Sequence, residues 1–307
     1  MAISLKLGMQ IGKRGTKLQL ALGAASELAA KPNPNNACVL GIDAAWTAHQ
    51  PSGIALVQNT ATGWSCLAIA PSYEAFIAQT SGQTWDPEQK ARGSTPDPAA
   101  LLQASQQLAG AAVSCVSVDM PLASTPITRR RAADTAISSR FGPKGCAVHS
   151  PSAERPGAIA DQLRADFAAL GYSLHTNGSD QTAAALIECY PHVALLALLK
   201  RDYRVPYKVS RSGQYWKAEK LTCSERIERL LEQFQAINAG LDEHISGIPD
   251  VIPEPSEVTT LASLKPVEDM LDGLICAWIG IEHLEGRTVG LGDNTASIWI
   301  PQALINP

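Results

Sequence analysis

Aromatic residues are scarce in this chain, at 5 % of 307 residues, which argues against an extended platform for stacking the bases of a single strand. Charge is thin as well, 18 % with a net −4, which argues against a protein that coats nucleic acid nonspecifically. No stretch approaches the roughly 20 consecutive apolar residues that span a bilayer, so no membrane segment is expected. The seven cysteines (Cys38, Cys66, Cys115, Cys146, Cys189, Cys223 and Cys276) contain no CxxC pair. Buried reduced thiols and a cytoplasmic location are the expectation, since cysteines scattered along apolar runs behave as small hydrophobes. There is also no internal repeat and no Walker-type phosphate loop.

What the chain does contain is a set of acids placed where acids are costly. The apolar run Cys38-Val-Leu-Gly-Ile-Asp43 ends in a carboxylate. Val113-Ser-Cys-Val-Ser-Val-Asp119 repeats the design, and Ala183-Ala-Ala-Leu-Ile-Glu188 does so more weakly because alanine is a poor strand former. Near the C-terminus, Glu268-Asp-Met-Leu-Asp272 opens a helical pattern that sets Asp269 and Asp272 one turn apart on one face. Buried carboxylates need a cation or dense donors to compensate them. Asp43, Asp119, Asp269 and Asp272 are therefore candidate ligands for Mg²⁺ or Mn²⁺, hard cations that take oxygen donors. Asp43, Asp119, Asp272 and Glu188 are the candidate catalytic acids. Glu188 has an alternative role, capping the helix that follows it.

The basic residues are not spread evenly. Thirteen of the 25 fall in 129–155 and 200–220, and acids dominate from Glu225 to Asp272. Either segment could wall a phosphate-binding surface or form a solvated face. Arg130, Arg131, Lys208 and His149 are candidate substrate contacts, and Trp46 is a candidate base-stacking residue or a core residue. His192, just after Glu188, is either a phosphate contact or a satisfied structural histidine.

Residues 1–36 read as a separate N-terminal extension, with a basic start, an amphipathic helix and a Pro/Asn linker, Lys31-Pro-Asn-Pro-Asn-Asn36. Gln19 and Glu27 interrupt the apolar stretch that a signal peptide would require. Met9 is an alternative start. Residues 37–307 read as a single domain. Three short strands (Cys38–Asp43, Gly53–Gln58, Trp64–Ala70) form an antiparallel meander. A helix at Pro98–Ala111 then makes a crossover long enough for Val113–Asp119 to be parallel. A basic insertion over about 120–182 contains a helix near Ala158–Leu170. Ala183–Cys189 supplies a fifth strand, followed by helices His192–Leu199, Cys223–Leu241 and Val267–Glu282, with an irregular basic loop at 200–221 and a late strand at Ala296–Ile300. The expected class is α/β: a ribonuclease H-like mixed five-stranded sheet flanked by helices, with a helical insertion and extra C-terminal helices. That fold hosts nucleases, transposases, resolvases and sugar kinases, so fold alone leaves function open.

The ordered series Gly41-Ile-Asp-Ala-Ala-Trp46, Val118-Asp-Met-Pro-Leu122, Arg130-Arg-Ala-Ala-Asp134, Glu188-Cys-Tyr-Pro-His192, Pro206-Tyr-Lys208, Glu268-Asp-Met-Leu-Asp-Gly-Leu-Ile-Cys-Ala277 and Leu291-Gly-Asp293 resembles the domain-of-unknown-function 429 family. That resemblance covers about residue 38 onward. It implies a ribonuclease H-like nuclease fold with an acidic metal site carried by Asp43, Asp119 and Asp272, with Glu188 as a further candidate. The late helix also resembles that of Holliday-junction resolvases, in which paired acids lie three residues apart. The basic insertion at 129–155 departs from that pattern.

Three functions remain open on the sequence. The first is a Mg²⁺- or Mn²⁺-dependent nuclease with DNA or RNA as substrate. The second is a phosphotransferase of the sugar-kinase type, against which stands the absence of a Gly/Ser/Thr-rich loop after Asp43. The third is a non-catalytic relative that binds nucleic acid or protein.

Overall fold

The computed structural model describes residues 36–86, 89–179 and 184–305. The expected helix and linker of residues 1–36 lie, but for Asn36, outside them. Strands β1 (Cys38–Asp43), β2 (Gly53–Thr60) and β3 (Gly63–Ala70) form the anticipated antiparallel meander. Helices α1 (Tyr73–Ala78) and α2 (Pro98–Ala109) follow. Helix α2 starts where the Asp97 side chain accepts from Ala100 N at 3.1 Å, with Pro98 in the first turn, and it stops at Gly110 in the left-handed region. Its crossover returns the chain as β4 (Val113–Val118), parallel to β1.

The insertion contains more regular structure than its Pro/Gly content suggests: α3 (Ala132–Phe141), α4 (Ala158–Ala169) and β5 (Tyr172–Leu174). Strand β6 (Ala184–Cys189) then runs parallel to β4 and leads into α5 (Pro191–Leu198). The basic loop contains one short helix, α6 (Ser212–Tyr215). Helix α7 (Cys223–Asp242) opens with a Thr222/Glu225 capping box, and α8 (Lys265–Leu284) precedes the hairpin β7 (Thr288–Gly292) and β8 (Ser297–Pro301).

The sheet order is β3-β2-β1-β4-β6-β8-β7, with β5 also paired to β6. Eight strands therefore replace the expected five. The late strand expected at Ala296–Ile300 is β8, and the unanticipated ones are β5 and β7, short segments whose pattern is too brief to stand out. Strand β6 pairs with β4 along one edge and shares the other between β5, at Ala184–Leu186, and β8, at Glu188 and Cys189.

Alternation along the strands sorts the core into layers. Val39, Ala55, Val57, Cys115, Ala185 and Ile187 face α5, α7 and α8. Leu40, Ile42, Ile54, Leu56, Val116, Val118 and Leu186 face α1, α2 and α4. A third cluster under α3 covers β8. Among the described residues no helix is long and apolar enough to cross a membrane.

Helix α8 is buried continuously from Val267 to Glu282. It lies on the sheet at a distance that only glycine permits. A Cβ on Gly53 would sit 1.7 Å from Asp269 O, and one on Gly41 would sit 2.2 Å from Gly273 O and 2.3 Å from Ala277 N. This backbone-to-backbone contact sets the acids of α8 beside the end of β1.

Candidate metal centre and its cleft

The carboxyl ends of parallel strands β1 and β4 open toward α8, the position where ligands bind in α/β sheets. Asp43 shares the face of Val39 and Gly41, and Asp119 continues the face of Cys115. Asp119 N donates to Ile42 O at 2.9 Å, extending the ladder by one residue. Both carboxylates thus project toward the helix that carries Asp269 and Asp272.

Ligand oxygens of Asp43, Asp269 and Asp272 lie within 4.8 Å of one another. Three ionised carboxylates so placed repel by about 3.5 kcal/mol per pair at an effective dielectric near 20. Asp272 is fully buried and Asp269 is 2 % exposed, so water does little to relieve this. Burial, aided by Asp43 and Glu268, pushes the Asp272 carboxyl up to about 6 against the pull of Lys208. Burial, then Asp43 and Glu268, pushes Asp269 well above the usual carboxylate range although Lys265 opposes it. Asp119 is raised by burial first and by the charge of Asp43 second. It is a neighbour of the compact set rather than a member.

Two lysines provide partial compensation. Lys208 Nζ pairs with Asp272 Oδ2, and lies 3.3 Å from Glu268 Oε1. Lys265 Nζ donates to Glu268 Oε1 at 2.7 Å and to Asp269 Oδ1 at 2.5 Å. Tyr207 OH donates to Asp272 Oδ1 at 2.6 Å, and Val209 N donates to Glu268 Oε2 at 2.6 Å. Burial raises the Glu268 carboxyl, but the two lysines outweigh it and hold the group below its ordinary value. Five carboxylates thus face two ammonium groups. Asp269 Oδ2 is buried with no hydrogen-bond partner, which is costly for a charged oxygen. The donor set, all carboxylate oxygen with one atom unsatisfied, fits Mg²⁺ or Mn²⁺.

The structure places Glu188 differently from its neighbours. Its ladder partner is Val118 rather than Ser117, so it projects from the face opposite Asp43 and Asp119. There Arg131 grips it, with NH1 2.5 Å from Oε2 and NH2 2.7 Å from Oε1. Leu122 N donates to Oε2 at 2.7 Å. Arg131 also pairs with Asp134 at 2.6 Å and donates to Leu122 O at 2.6 Å. This buried network pins the insertion to the end of β6. It engages both Glu188 and Arg131, two of the expected site residues. Arg130 is occupied as well, donating to Ser150 Oγ at 2.7 Å, Ser138 Oγ at 2.6 Å and Asp134 O at 2.7 Å.

Two adjoining lobes meet over the acids. One, of about 760 Å³, is lined by Asp43, Trp46, Asp119, Arg155, Lys208 and Asp269 among others. Here the Arg155 guanidinium lies 5.7 Å from the Trp46 ring centre, within cation–π range. The second, of about 630 Å³, shares Trp46, Asp119, His149 and Lys208 and adds Tyr190, His192, Arg204 and Arg211. Trp46 and His149 therefore border the cleft. The sequence reading missed Lys265 and Tyr207, which hold the acids, and Arg204 and Arg211, which wall the second lobe. The basic run at 200–220 was the only signal for the two arginines, and it did not say which of its cations turn inward.

A family model described as "Protein of unknown function (DUF429)" matches residues 41–296. No curated protein and no solved structure matches the chain.

Proposed function

The chain belongs to the DUF429 family, and from that membership and its acidic cleft we propose a divalent-metal-dependent phosphodiesterase, a nuclease, built on a ribonuclease H-like fold. The order β3-β2-β1-β4-β6, antiparallel within the meander and parallel beyond β1, supports the fold assignment. The single observation carrying the chemistry is the convergence of Asp43, Asp269 and Asp272 with an unsatisfied Asp269 oxygen. These three would hold Mg²⁺ or Mn²⁺, with Asp119 alongside. When bound, the cation supplies Lewis-acid charge to a phosphoryl oxygen and to the attacking water.

The chain's own residues do the rest. Lys208 and Lys265 keep the acids together, and Tyr207 orients Asp272. Trp46 and Arg155 offer an apolar face and a cation to a nucleotide on one side of the centre. Nucleic acid is the substrate class this arrangement suits, because phosphate binding supplies most of the affinity and is sequence-independent.

The test titrates Mn²⁺ and Mg²⁺ into chelated protein by calorimetry, beside the Asp43→Asn/Asp272→Asn double variant, and then screens DNA, RNA and hybrids for cleavage. Binding and cleavage that the double variant loses support the reading. Cleavage that persists in the variant sinks it. One observation favours a second reading, that of a non-catalytic nucleic-acid-binding relative: two lysines already sit among the acids. Absence of metal binding, with and without nucleic acid, would select it. A phosphotransferase gains nothing from the site, since Ala44, Ala45 and Trp46 follow the first acid.

A further inference from the structure

The second lobe contains basic side chains that no acid pairs with. Arg204, Arg211, His149 and His192 all line it, and among the described residues none of the four pairs with a carboxylate. The acids bordering the lobe are committed elsewhere: Glu188 and Asp134 to Arg131, and Glu268 to the two lysines and Val209 N. Only Asp119 is uncommitted, and it belongs to the metal centre.

His192 is 8 % exposed. Arg204 NH2 lies 2.6 Å from its Nε2. A guanidinium can only donate, so Nε2 accepts and the neutral ring carries its proton on Nδ1. Burial, followed by Lys208 and Arg204, holds the ring well below its ordinary pKa and so keeps it neutral. Its Nδ1 and the Arg204 Nε are both buried donors without an acceptor. The Arg204 guanidinium also donates NH1 to Gly145 O at 3.3 Å but meets no carboxylate, and unsatisfied donors beside a charge without a counter-ion call for an anion.

We propose that this lobe binds a phosphate monoester, the terminal phosphate of a nucleotide chain whose scissile phosphate reaches the acids at Asp119. This rests on the phosphodiesterase reading above. An internal diester carries one charge, whereas a terminal monoester carries close to two, and the lobe offers two unpaired arginines with two histidines. Its volume of about 630 Å³ lies within the range of pockets for single small ligands, as suits a chain end better than a continuing duplex.

The test measures binding of dithymidine carrying a 5′-phosphate, a 3′-phosphate or neither, by calorimetry in chelator with Asp43→Asn protein, so that nothing is cleaved. One phosphorylated form is expected to bind roughly tenfold tighter than the unphosphorylated one, as a charge-assisted contact of this kind implies. Arg204→Gln and Arg211→Gln should each remove most of that gain. Arg204→Gln also breaks the contact to His192, so its fold is checked by melting. Arg211 makes no side-chain hydrogen bond or ion pair among the described residues, and its variant keeps the test decisive. Equal affinity for all three dinucleotides, or a gain that survives in Arg211→Gln, overturns the proposal. Failure here leaves metal-dependent cleavage standing, and a terminal-phosphate gain in a protein that cleaves nothing faults only the earlier reading.

Discussion

Replacing Gly53 with alanine should damage the fold and the proposed metal centre together. The added Cβ would lie 1.7 Å from Asp269 O and 2.3 Å from Asp269 C. Both are backbone atoms of α8, so no side chain can rotate away. Ordinary contact requires about 1.7 Å or more of retreat by the helix. Overpacking of this kind costs about 1–3 kcal/mol or more, and a rigid backbone partner argues for the upper end. Loss of glycine entropy in the unfolded chain returns about 0.4–1 kcal/mol, leaving a net cost of at least about 2 kcal/mol. For a chain of this size that is a fall of about 3 °C or more in Tm. The same retreat carries Asp269 away from Asp43, and metal sites tolerate only about 0.2 Å of ligand displacement. Mn²⁺ affinity should therefore fall by more than tenfold in calorimetry. Gly142→Ala is the control, because its nearest neighbour would be Ala147 Cβ at an ordinary 3.8 Å; it should melt within a degree or two of the parent. A Gly53→Ala protein with parental Tm and parental Mn²⁺ affinity would refute the claim that this contact positions the acids.

Lys208→Met should cost about 3–5 kcal/mol in chelator, the range for removing one partner from a buried pair, and Mn²⁺ should restore part of it; a loss below 1 kcal/mol in urea titrations would show the acids already neutral. Asp272 titrates near 6 when folded and near 3.9 in an unfolded chain. Its contribution therefore favours the fold at low pH and is lost as pH rises through 6. Between pH 5 and pH 8 the stability of Asp272→Asn should gain on the parent by about 1 kcal/mol, read by denaturation in chelator, and a pH-independent difference would contradict the buried charge. Arg131→Met should destabilise by about 3–5 kcal/mol because it strands Glu188 and Asp134, whereas Glu188→Gln should leave Mn²⁺ affinity unchanged in calorimetry; tenfold weaker metal binding would return Glu188 to the ligand set.

The acids at strand ends were legible because an ionised group after an apolar run has few structural uses. The meander and the first crossover were legible because loop length alone decides between antiparallel and parallel pairing. What single-strand patterns did not reveal was register. Asp43, Asp119 and Glu188 look alike as terminal acids, yet Glu188 pairs with Val118 and so projects from the other face of the sheet. A shift of one residue reverses the face, and nothing local to Ala183–Glu188 specifies it. Asp269 presented the opposite problem. An acid on a helix face reads as solvated, and only the contact of Gly53 and Gly41 with α8 turns that face inward. The short strands β5 and β7 escaped notice because three to five residues carry too little periodicity to separate strand from loop.

The centre also has a history within each molecule. Asp43 leaves the ribosome first, on a strand that can pair at once with β2, which in turn pairs with β3, while Asp269 and Asp272 arrive on the helix just before the β7–β8 hairpin. Domains fold as the chain emerges, so the sheet around Asp43 can assemble while the place of α8 is still vacant. Chains cut short before Lys265 contain most of the sheet and none of the helical acids. The set of Asp43, Asp269 and Asp272 therefore forms only after α8 has been made, and a shorter product carries Asp43 without its two helical partners.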